Sequence, residues 1–154
     1  LGLSSIPGVL SANVQYSYLD SWAEAPFPGS EHLEEKGTGV NFDYRVFTTL
    51  GYSNGSYSMG LRWQYWPGLD PARGAAANAL GVSSHSQTDL FARWAFGRYE
   101  LRAGVDNLFN ADPEVVGAAF SAPGASSNNN ARGSSFSFHD TFGRRFYIGM
   151  KALF

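Results

Sequence analysis

Three histidines, with serines and acidic residues, are the side chains of this sequence that could carry catalysis or bind a metal. His32, His85 and His139 each fall in a different long segment rich in turn-forming residues. No Gly-x-Ser-x-Gly or His-Glu-x-x-His spacing includes them, so no nucleophile or metal ligand stands beside a base in a known arrangement. Histidines on one rim could hold a metal or haem, but a solvated loop histidine is the commoner case. The sequence therefore predicts no enzyme, no metal and no other cofactor.

The composition excludes further classes of site. Cysteine is absent, which removes disulfides and cysteine-based metal sites or nucleophiles. The net charge is −2 and the 11 Lys and Arg residues are scattered, so we expect no nucleic-acid partner. The run of Glu31, Glu34 and Glu35 could bind divalent ions at a lipopolysaccharide surface, although such runs are usually just solvated. Residues with a possible role in function are therefore expected among the other charged side chains, on the predicted strands.

The end of the sequence alternates strictly. Every second residue from Phe146 to Phe154 is apolar, whereas the residues between them include Arg145 and Lys151, with Leu153 as the exception. Period-two alternation predicts a β-strand with two unlike faces. Because soluble termini normally fray into water, a chain that ends on an aromatic residue indicates a strand end in a membrane interface.

The same alternation recurs along the chain and predicts about six antiparallel strands. They are expected at residues 10–18, 44–52, 57–65, 89–96, 99–107 and 144–154. Tight turns at Asn54-Gly55 and Gly97-Arg98 alternate with long loops at residues 21–39, 67–86 and 108–143. Short periplasmic turns alternating with long extracellular loops are typical of a transmembrane β-barrel. The expected fold class is therefore all-β, an antiparallel segment of such a barrel.

The turns also predict a register. In the first hairpin Tyr52 is expected opposite Tyr57, and Leu50 opposite Met59, so that apolar residues meet. In the second hairpin the expected partners are Phe96 with Tyr99, Trp94 with Leu101, Leu90 with Val105, Arg93 with Arg102 and Asp89 with Asp106. Like charges directly opposite are unfavourable, so these charges are expected to need water or outside partners.

Parity alone assigns the side chains to two faces. The convex, lipid-exposed face is expected to hold Tyr52, Met59, Leu61, Trp63, Leu90, Trp94, Leu101, Val105, Ile148 and Met150. An aromatic girdle is expected on the same face at the short-turn side, formed by Tyr52, Tyr57, Phe96, Tyr99 and Phe154. The residues expected to line the lumen, where they could contact a plug, water or a solute, are Arg45, Arg62, Gln64, Arg93, Glu100, Arg102, Asp106, Arg145 and Lys151.

The overall composition suits this arrangement. Aromatic residues make up 16% and charged residues only 16%, and no apolar run approaches the roughly 20 residues of a transmembrane helix. A soluble β-sandwich would explain the alternation as well. The glycines at Gly51, Gly60 and Gly104 favour the barrel, because a plug or lumen water could approach the sheet there. Asn107 and Asp112, at a loop entry, are expected to form turns rather than to bind ligand.

Two segments resemble a known family. The sequence Gly104-Val105-Asp106-Asn107-Leu108-Phe109-Asn110, the segment that begins Gly143-Arg144-Arg145-Phe146, and the terminal Phe154 resemble the C-terminal end of TonB-dependent outer-membrane receptors. The resemblance implies that residues 1–154 are the last part of a barrel of about 22 strands, and that an N-terminal plug domain is absent from this chain. Because the sequence begins at Leu1 without a signal segment, we expect a fragment.

The resemblance also implies a location, partners and a function. The protein is expected in the cell outer membrane, in contact with lipid and lipopolysaccharide, with the remaining barrel strands and plug, with the energy-coupling protein TonB through the plug, and with the barrel-assembly machinery at the last strand. Its function would be energy-coupled import of a scarce bulky solute, such as a ferric siderophore, cobalamin or an oligosaccharide. The alternatives are an oligomeric outer-membrane pore or adhesion module, and a soluble β-sandwich binding domain.

Overall fold

The computed structural model describes residues 7–39, 41–73, 81–116, 134–135 and 139–153. This part of the chain is all-β, with antiparallel sheets and no helix. The strands are β1 (Val9–Tyr18), β2 (Ala23–Glu24), β3 (Leu33–Glu34), β4 (Tyr44–Asn54), β5 (Tyr57–Trp66), β6 (His85–Phe96), β7 (Tyr99–Asp106), β8 (Val115–Val116), β9 (Ser134–Ser135) and β10 (Arg145–Ala152). Across these ranges there is no helix of the length and hydropathy that a membrane span requires.

One six-stranded antiparallel sheet dominates the fold. Its strand order is β1-β4-β5-β6-β7-β10, so the six strands follow one another in space as they do in sequence. They confirm the six strands that the alternation predicts. The ribbons β2–β3 and β8–β9 lie within segments predicted as loops. Strand β6 begins at His85 rather than at the predicted Asp89, because its backbone hydrogen bonds with β5 continue to the Trp66–His85 pair. Residues 85–88 have no apolar alternation from which a strand could be predicted.

The register places the side chains in rows across the sheet. One row consists of Leu10, Tyr52, Met59, Ala92, Ala103 and Ile148, and the next of Ala12, Leu50, Leu61, Leu90, Val105 and Phe146. These rows define the apolar face. The polar face carries rows such as Asn13, Thr49, Arg62 and Asp89. The facing predicted from parity is confirmed, since all ten residues assigned to the apolar side, and Arg62, Arg93, Arg102 and Lys151 on the other, lie as expected.

The register of the first hairpin differs from the prediction by two residues. Tyr57 pairs with Asn54, and Tyr52 pairs with Met59 rather than with Tyr57. The two-residue loop is Gly55-Ser56, and Gly55 has a φ of 52°. A two-residue hairpin loop of this kind needs positive φ at its first position, which glycine adopts without strain. A shift of two residues, unlike a shift of one, leaves every side chain on its predicted face.

The second hairpin has the predicted register. Phe96 pairs with Tyr99, and Leu90 pairs with Val105. Its loop again begins with a glycine, Gly97, with a φ of 57°. Both hairpins therefore follow one rule, in which glycine occupies the first loop position between two strand-end residues.

The buried apolar cluster lies in the loops rather than in the sheet. Phe42, Leu69 and Val82 are buried together, and Trp66 packs against them. We call the segments 35–43, 67–73 and 81–84, with His139, the loop cap. Backbone hydrogen bonds join its segments: the Gly39 N–H donates to the Asp70 carbonyl at 3.0 Å, and Leu69 and Val82 exchange two bonds of 2.8 Å. The register places Trp66 on the polar face, so the cap lies against that face at the long-loop end of the sheet.

Candidate functional site

The apolar face has exposed side chains on five of the six strands and is half-buried on β7. Trp94 is 52% exposed and Ile148 is 77% exposed, and Leu10, Leu50 and Met59 are exposed as well. No second sheet within the described ranges covers this face. Burying one such side chain stabilises a protein by roughly 1.5–3 kcal/mol. Exposure of whole rows of these apolar side chains to water is therefore strongly unfavourable. The face requires an apolar environment from outside these residues.

Aromatic rings mark the short-turn end of the apolar face. The ring centroids of Tyr52 and Tyr57 lie 6.1 Å apart, and Phe96 lies 4.8 Å from Trp94 and 5.7 Å from Tyr99. Four of the residues predicted for a girdle therefore lie together as expected. The fifth, Phe154, lies outside the described residues.

A second aromatic belt lies at the long-loop end of the same face. Tyr16, Tyr44 and Tyr65 stack across three strands with centroid distances of 5.7 and 6.1 Å, and the rings of Tyr18 and Trp63 extend the stack. The sequence interpretation did not identify this belt. Its signal was present, because these aromatic residues share the outward parity and stand at the long-loop ends of their strands.

The separation of the two belts can be estimated along one strand. Tyr57 and Tyr65 on β5 bound an interval of eight residues, about 26 Å at roughly 3.3 Å per residue. A strand tilted by about 40° would project this length to about 20 Å, close to the apolar band of about 25 Å on outer-membrane barrels. Between the belts the apolar face is mainly aliphatic, with Leu50, Leu61 and Leu90 in one row.

On the polar face a carboxylate joins the two arginines that were expected to repel each other. Arg93 and Arg102 do pair in register, but Glu100 lies diagonal to Arg93 and two residues before Arg102. Its oxygens accept hydrogen bonds from both guanidinium groups at 2.6 Å. The expectation that this pair needs water or an outside partner is therefore wrong, because diagonal neighbours on a sheet reach each other through long side chains.

The two aspartates of this region are also satisfied within the chain. Asp89 Oδ1 accepts hydrogen bonds from Gln87 Nε2 at 3.0 Å and from the Asn107 backbone N–H at 2.9 Å. Arg145 Nη2 lies 3.6 Å from Asp106 and 2.7 Å from the Asp140 carboxylate. The expectation of outside partners for Asp89 and Asp106 is also wrong, because a side chain on the same strand and a backbone N–H serve Asp89, and the arginine directly opposite on β10 serves Asp106.

Two arginines of the polar face lack such a partner. Arg45 and Arg62 are exposed, and among the described residues no carboxylate oxygen lies within 4.0 Å of either guanidinium. Each guanidinium instead lies over a ring, Arg45 at 5.9 Å from the centroid of Phe42 and Arg62 at 5.3 Å from that of Phe91. Lys151, also exposed, stands opposite Glu100 near the short turns. On the polar face, the arginines of β6, β7 and β10 thus pair with carboxylates, whereas those of β4 and β5 do not within the part of the chain that the structure describes. We call these two regions the compensated half and the uncompensated half.

A groove lies in the uncompensated half. It has a volume of about 250 Å³, and its polar-face lining consists of Gln15, Ser17, Arg45, Phe47, Gln64 and Trp66. The register places Gln15, Phe47 and Gln64 in one row across β1, β4 and β5. Of the residues predicted to line a lumen, Arg45 and Gln64 come together here, whereas Arg93, Glu100 and Arg102 form the separate ion cluster.

The glycines of the polar face are covered by the sheet itself. The ring of Phe91 lies where a Cβ on Gly60 would be, and Tyr147 stands over Gly104 in the same way. A Cβ on Gly51 would come 2.6 Å from Ser11 Oγ. The expectation that a plug or water approaches the sheet at these glycines is corrected, because cross-strand side chains fill the space.

The family-like segment at residues 104–110 forms a turn lock. Asn107 is 1% exposed with a φ of 53°; its amide donates to the Ala111 carbonyl at 2.9 Å and accepts from the Ala111 N–H at 2.8 Å. Asn110 Oδ1 accepts from the Arg144 N–H at 3.0 Å, which ties the lock to the start of β10. The turn-forming role predicted for Asn107 is confirmed.

The remaining residues of the family-like motif have diverse positions. Val105 lies on the apolar face, Leu108 is half-buried, Phe109 is exposed and Gly143 has a φ of 69°. None of the motif residues within the described ranges lines the groove. Within the described part of the motif, Asn107 and Asn110 hold the connection between β7 and β10.

His32, His139 and the acidic run lie in the segments predicted as loops, whereas His85 is the first residue of β6. His85 and His139 stack with centroids 3.9 Å apart beside Trp66, and burial together with the charge of His85 lowers the pKa of His139 to about 4. His32 lies apart, between β2 and β3. The described residues contain no group of three His, Cys, Asp or Glu side chains that could hold a metal.

Two carboxylates of the acidic run are engaged in the loops. Glu34 accepts hydrogen bonds of 2.8 Å from the Trp22 N–H and the Ser21 hydroxyl, and these bonds lower its pKa. Glu35 pairs with Arg73 at 3.1 Å. These contacts give both carboxylates a role in holding the loops together.

Comparison of the chain with protein-family models, with curated proteins and with solved structures finds no match.

Proposed function

We propose that this chain is a wall segment of a β-barrel in an outer membrane, and that the barrel is an energy-coupled importer of a bulky solute. The observation that carries the membrane part is the apolar face, which has exposed side chains on five of the six strands, is half-buried on β7, and carries an aromatic belt at each end. Lipid supplies the apolar environment that the described residues do not, and aromatic side chains are favoured at both membrane interfaces.

In this proposal further strands complete the barrel, and the edges of the sheet support it. Strands β1 and β10 each pair on one side only within the described residues. An unpaired strand edge in lipid leaves backbone groups without hydrogen bonds. The smallest barrels filled by side chains have about eight strands, which is more than the six of this sheet. The missing strands come, in this proposal, from the rest of a longer chain.

The importer part of the proposal rests on the resemblance to TonB-dependent receptors. The turn lock at Asn107 gives the motif at 104–110 a physical role, since it joins the penultimate strand of the sheet to the last. A polar face with charged clusters is what a water-filled or plugged lumen requires. The solute would then pass along the polar face, in contact with the loop cap and the groove.

Fractionation tests the barrel, and channel conductance tests the importer against the pore alternative. The full-length protein that contains this segment is expected in the outer-membrane fraction, and its unheated form should migrate faster on SDS gels than its boiled form. Recovery in the soluble fraction would contradict the barrel. A heat-resistant homo-oligomer with channel conductance and no need for energy coupling would support the pore alternative and contradict the importer.

A further inference from the structure

We propose that the groove at Arg45 binds a compact, polyhydroxylated carboxylate such as a sugar acid, either alone or as the terminal unit of a larger solute. This inference rests on the proposed function, because it takes the polar face to be the path of the solute. It goes beyond that function by assigning the chemical class of the ligand and the residues that recognise it.

Charge is the first argument. Arg93, Arg102 and Arg145 each pair with a carboxylate at 2.6–2.7 Å, whereas Arg45 has no carboxylate within 4.0 Å among the described residues. Its guanidinium is exposed and lies over the ring of Phe42. A guanidinium binds a carboxylate through two parallel hydrogen bonds, which makes an anion the complementary ligand.

The neutral polar groups of the groove suit hydroxyls. Gln15 and Gln64 flank Phe47 in one row, and Ser17 stands opposite Arg45. An amide offers both donors and an acceptor, and a hydroxyl group of a ligand can use either. Three such groups around one cation favour a ligand with several hydroxyls and one negative charge over a purely apolar anion.

The flat walls of the groove suit a ring. Phe47 and Trp66 line it, and Trp66 is held by the apolar cluster and by the rings of His85 and His139 at 5.8 and 6.1 Å. A side chain fixed before binding loses little entropy when the ligand arrives. The volume of about 250 Å³ is below the usual 300–1,000 Å³ of drug-sized pockets, which limits the ligand to about one sugar ring.

Binding of glucuronate and glucose to the purified full-length protein in detergent tests this assignment. The two probes differ in the carboxylate and share the hydroxylated ring. We expect glucuronate to bind at least about tenfold more tightly than glucose, and Arg45→Gln to remove that difference. Gln64→Leu should weaken both ligands. Lys151→Gln, which removes an exposed cation at the other end of the polar face, is the matched control and should leave both affinities unchanged.

The outcomes separate this inference from the proposed function. Outer-membrane location and heat-modifiable migration are measured first for every variant, so that failure to fold is recognised. A correctly located protein that binds the two sugars equally, or whose glucuronate affinity survives Arg45→Gln, would overturn the sugar-acid site and leave the barrel standing. Loss of the outer-membrane location in the unmodified protein would overturn the function itself.

Discussion

The six-stranded sheet and the loop cap fold for different reasons. The sheet is held by backbone ladders, and its apolar side chains are exposed, as Ile148 at 77% illustrates. The cap is small but buries Phe42, Leu69 and Val82 within the chain. The sheet therefore depends on apolar surroundings from outside the described residues, whereas the cap has a core of its own. Substitutions in the sheet should therefore change the stability of the protein in a membrane, whereas substitutions in the cap should change its stability in water.

The largest effect is expected on the apolar face. Leu61→Arg would place a charge midway between the aromatic belts and should cost about 2–4 kcal/mol in a bilayer. The same substitution at Gln64, on the polar face, should alter transport more than folding. Urea titrations of the full-length protein in vesicles measure the difference, and equal destabilisation by both variants would show that the two faces are not in different environments.

The turn lock between β7 and β10 should be the next most sensitive point. Asn107→Ala removes two hydrogen bonds to Ala111 and leaves alanine in a left-handed conformation, so a loss of about 1–3 kcal/mol is expected. Asn110→Ala is the comparison: Asn110 has a similar left-handed φ of 54° but is exposed and accepts a single hydrogen bond, so its loss should cost less. Thermal unfolding checks this order, and a smaller effect at Asn107 than at Asn110 would contradict the turn lock.

Acid should loosen the cap before the sheet. The pKa of His139 is about 4 in the folded chain against an ordinary value of 6.5, so the unfolded state binds the proton first as the pH falls. Stability from this group is complete above about pH 6.5 and is lost as the pH falls toward 4. The protection factors of the Leu69 and Val82 amides, which correct for the slower intrinsic exchange in acid, should fall over this window, while those in β5 stay high. His139→Phe should remove most of the pH dependence and leave a smaller part from His85, whose pKa is also lowered by burial; if the dependence is unchanged, His139 is not responsible.

The smallest effect is expected in the ion cluster of the polar face. Glu100→Gln leaves Arg93 and Arg102 opposite each other without their shared carboxylate. Because both arginines are well exposed, solvent screens the repulsion, and the loss should be smaller than at Asn107 and should shrink further at high salt. Melting curves at two ionic strengths measure it. A loss that is independent of salt would contradict an electrostatic role for Glu100.

The sequence predicted the sheet well, since parity depends only on the alternation of side chains. Both faces and the second hairpin follow from it. The first hairpin was shifted by two residues because Asn54-Gly55 and Gly55-Ser56 are both acceptable turn sequences, and only the backbone selects Gly55 for the positive φ. Parity places Glu100 beside Arg102, but whether a diagonal side chain reaches Arg93 depends on rotamers that a sequence pattern does not encode.

The cap and the groove could not be predicted in the same way. The cap joins Gly39, Asp70, Val82 and His139, which are distant in sequence and belong to no periodic pattern. The shape of the groove depends on the register of three strands and on the position of Trp66. The rings of His85 and His139 pack beside Trp66, and His139 lies far away in the sequence. Sequence reasoning identified Arg45 and Gln64 as facing the lumen, but their proximity required the structure.

A single-cysteine scan along β5 tests the central claim most directly, because this segment contains no cysteine of its own. Cysteines are introduced one at a time at residues 58–65 of the full-length protein in native outer membranes, and each variant is treated with a charged, membrane-impermeant maleimide. If the apolar face contacts lipid, residues 59, 61 and 63 are protected, and residues 58, 62 and 64 react whenever the lumen is open to water. Equal labelling of both sets, or preferential labelling of residues 59, 61 and 63, would contradict the membrane assignment of the apolar face.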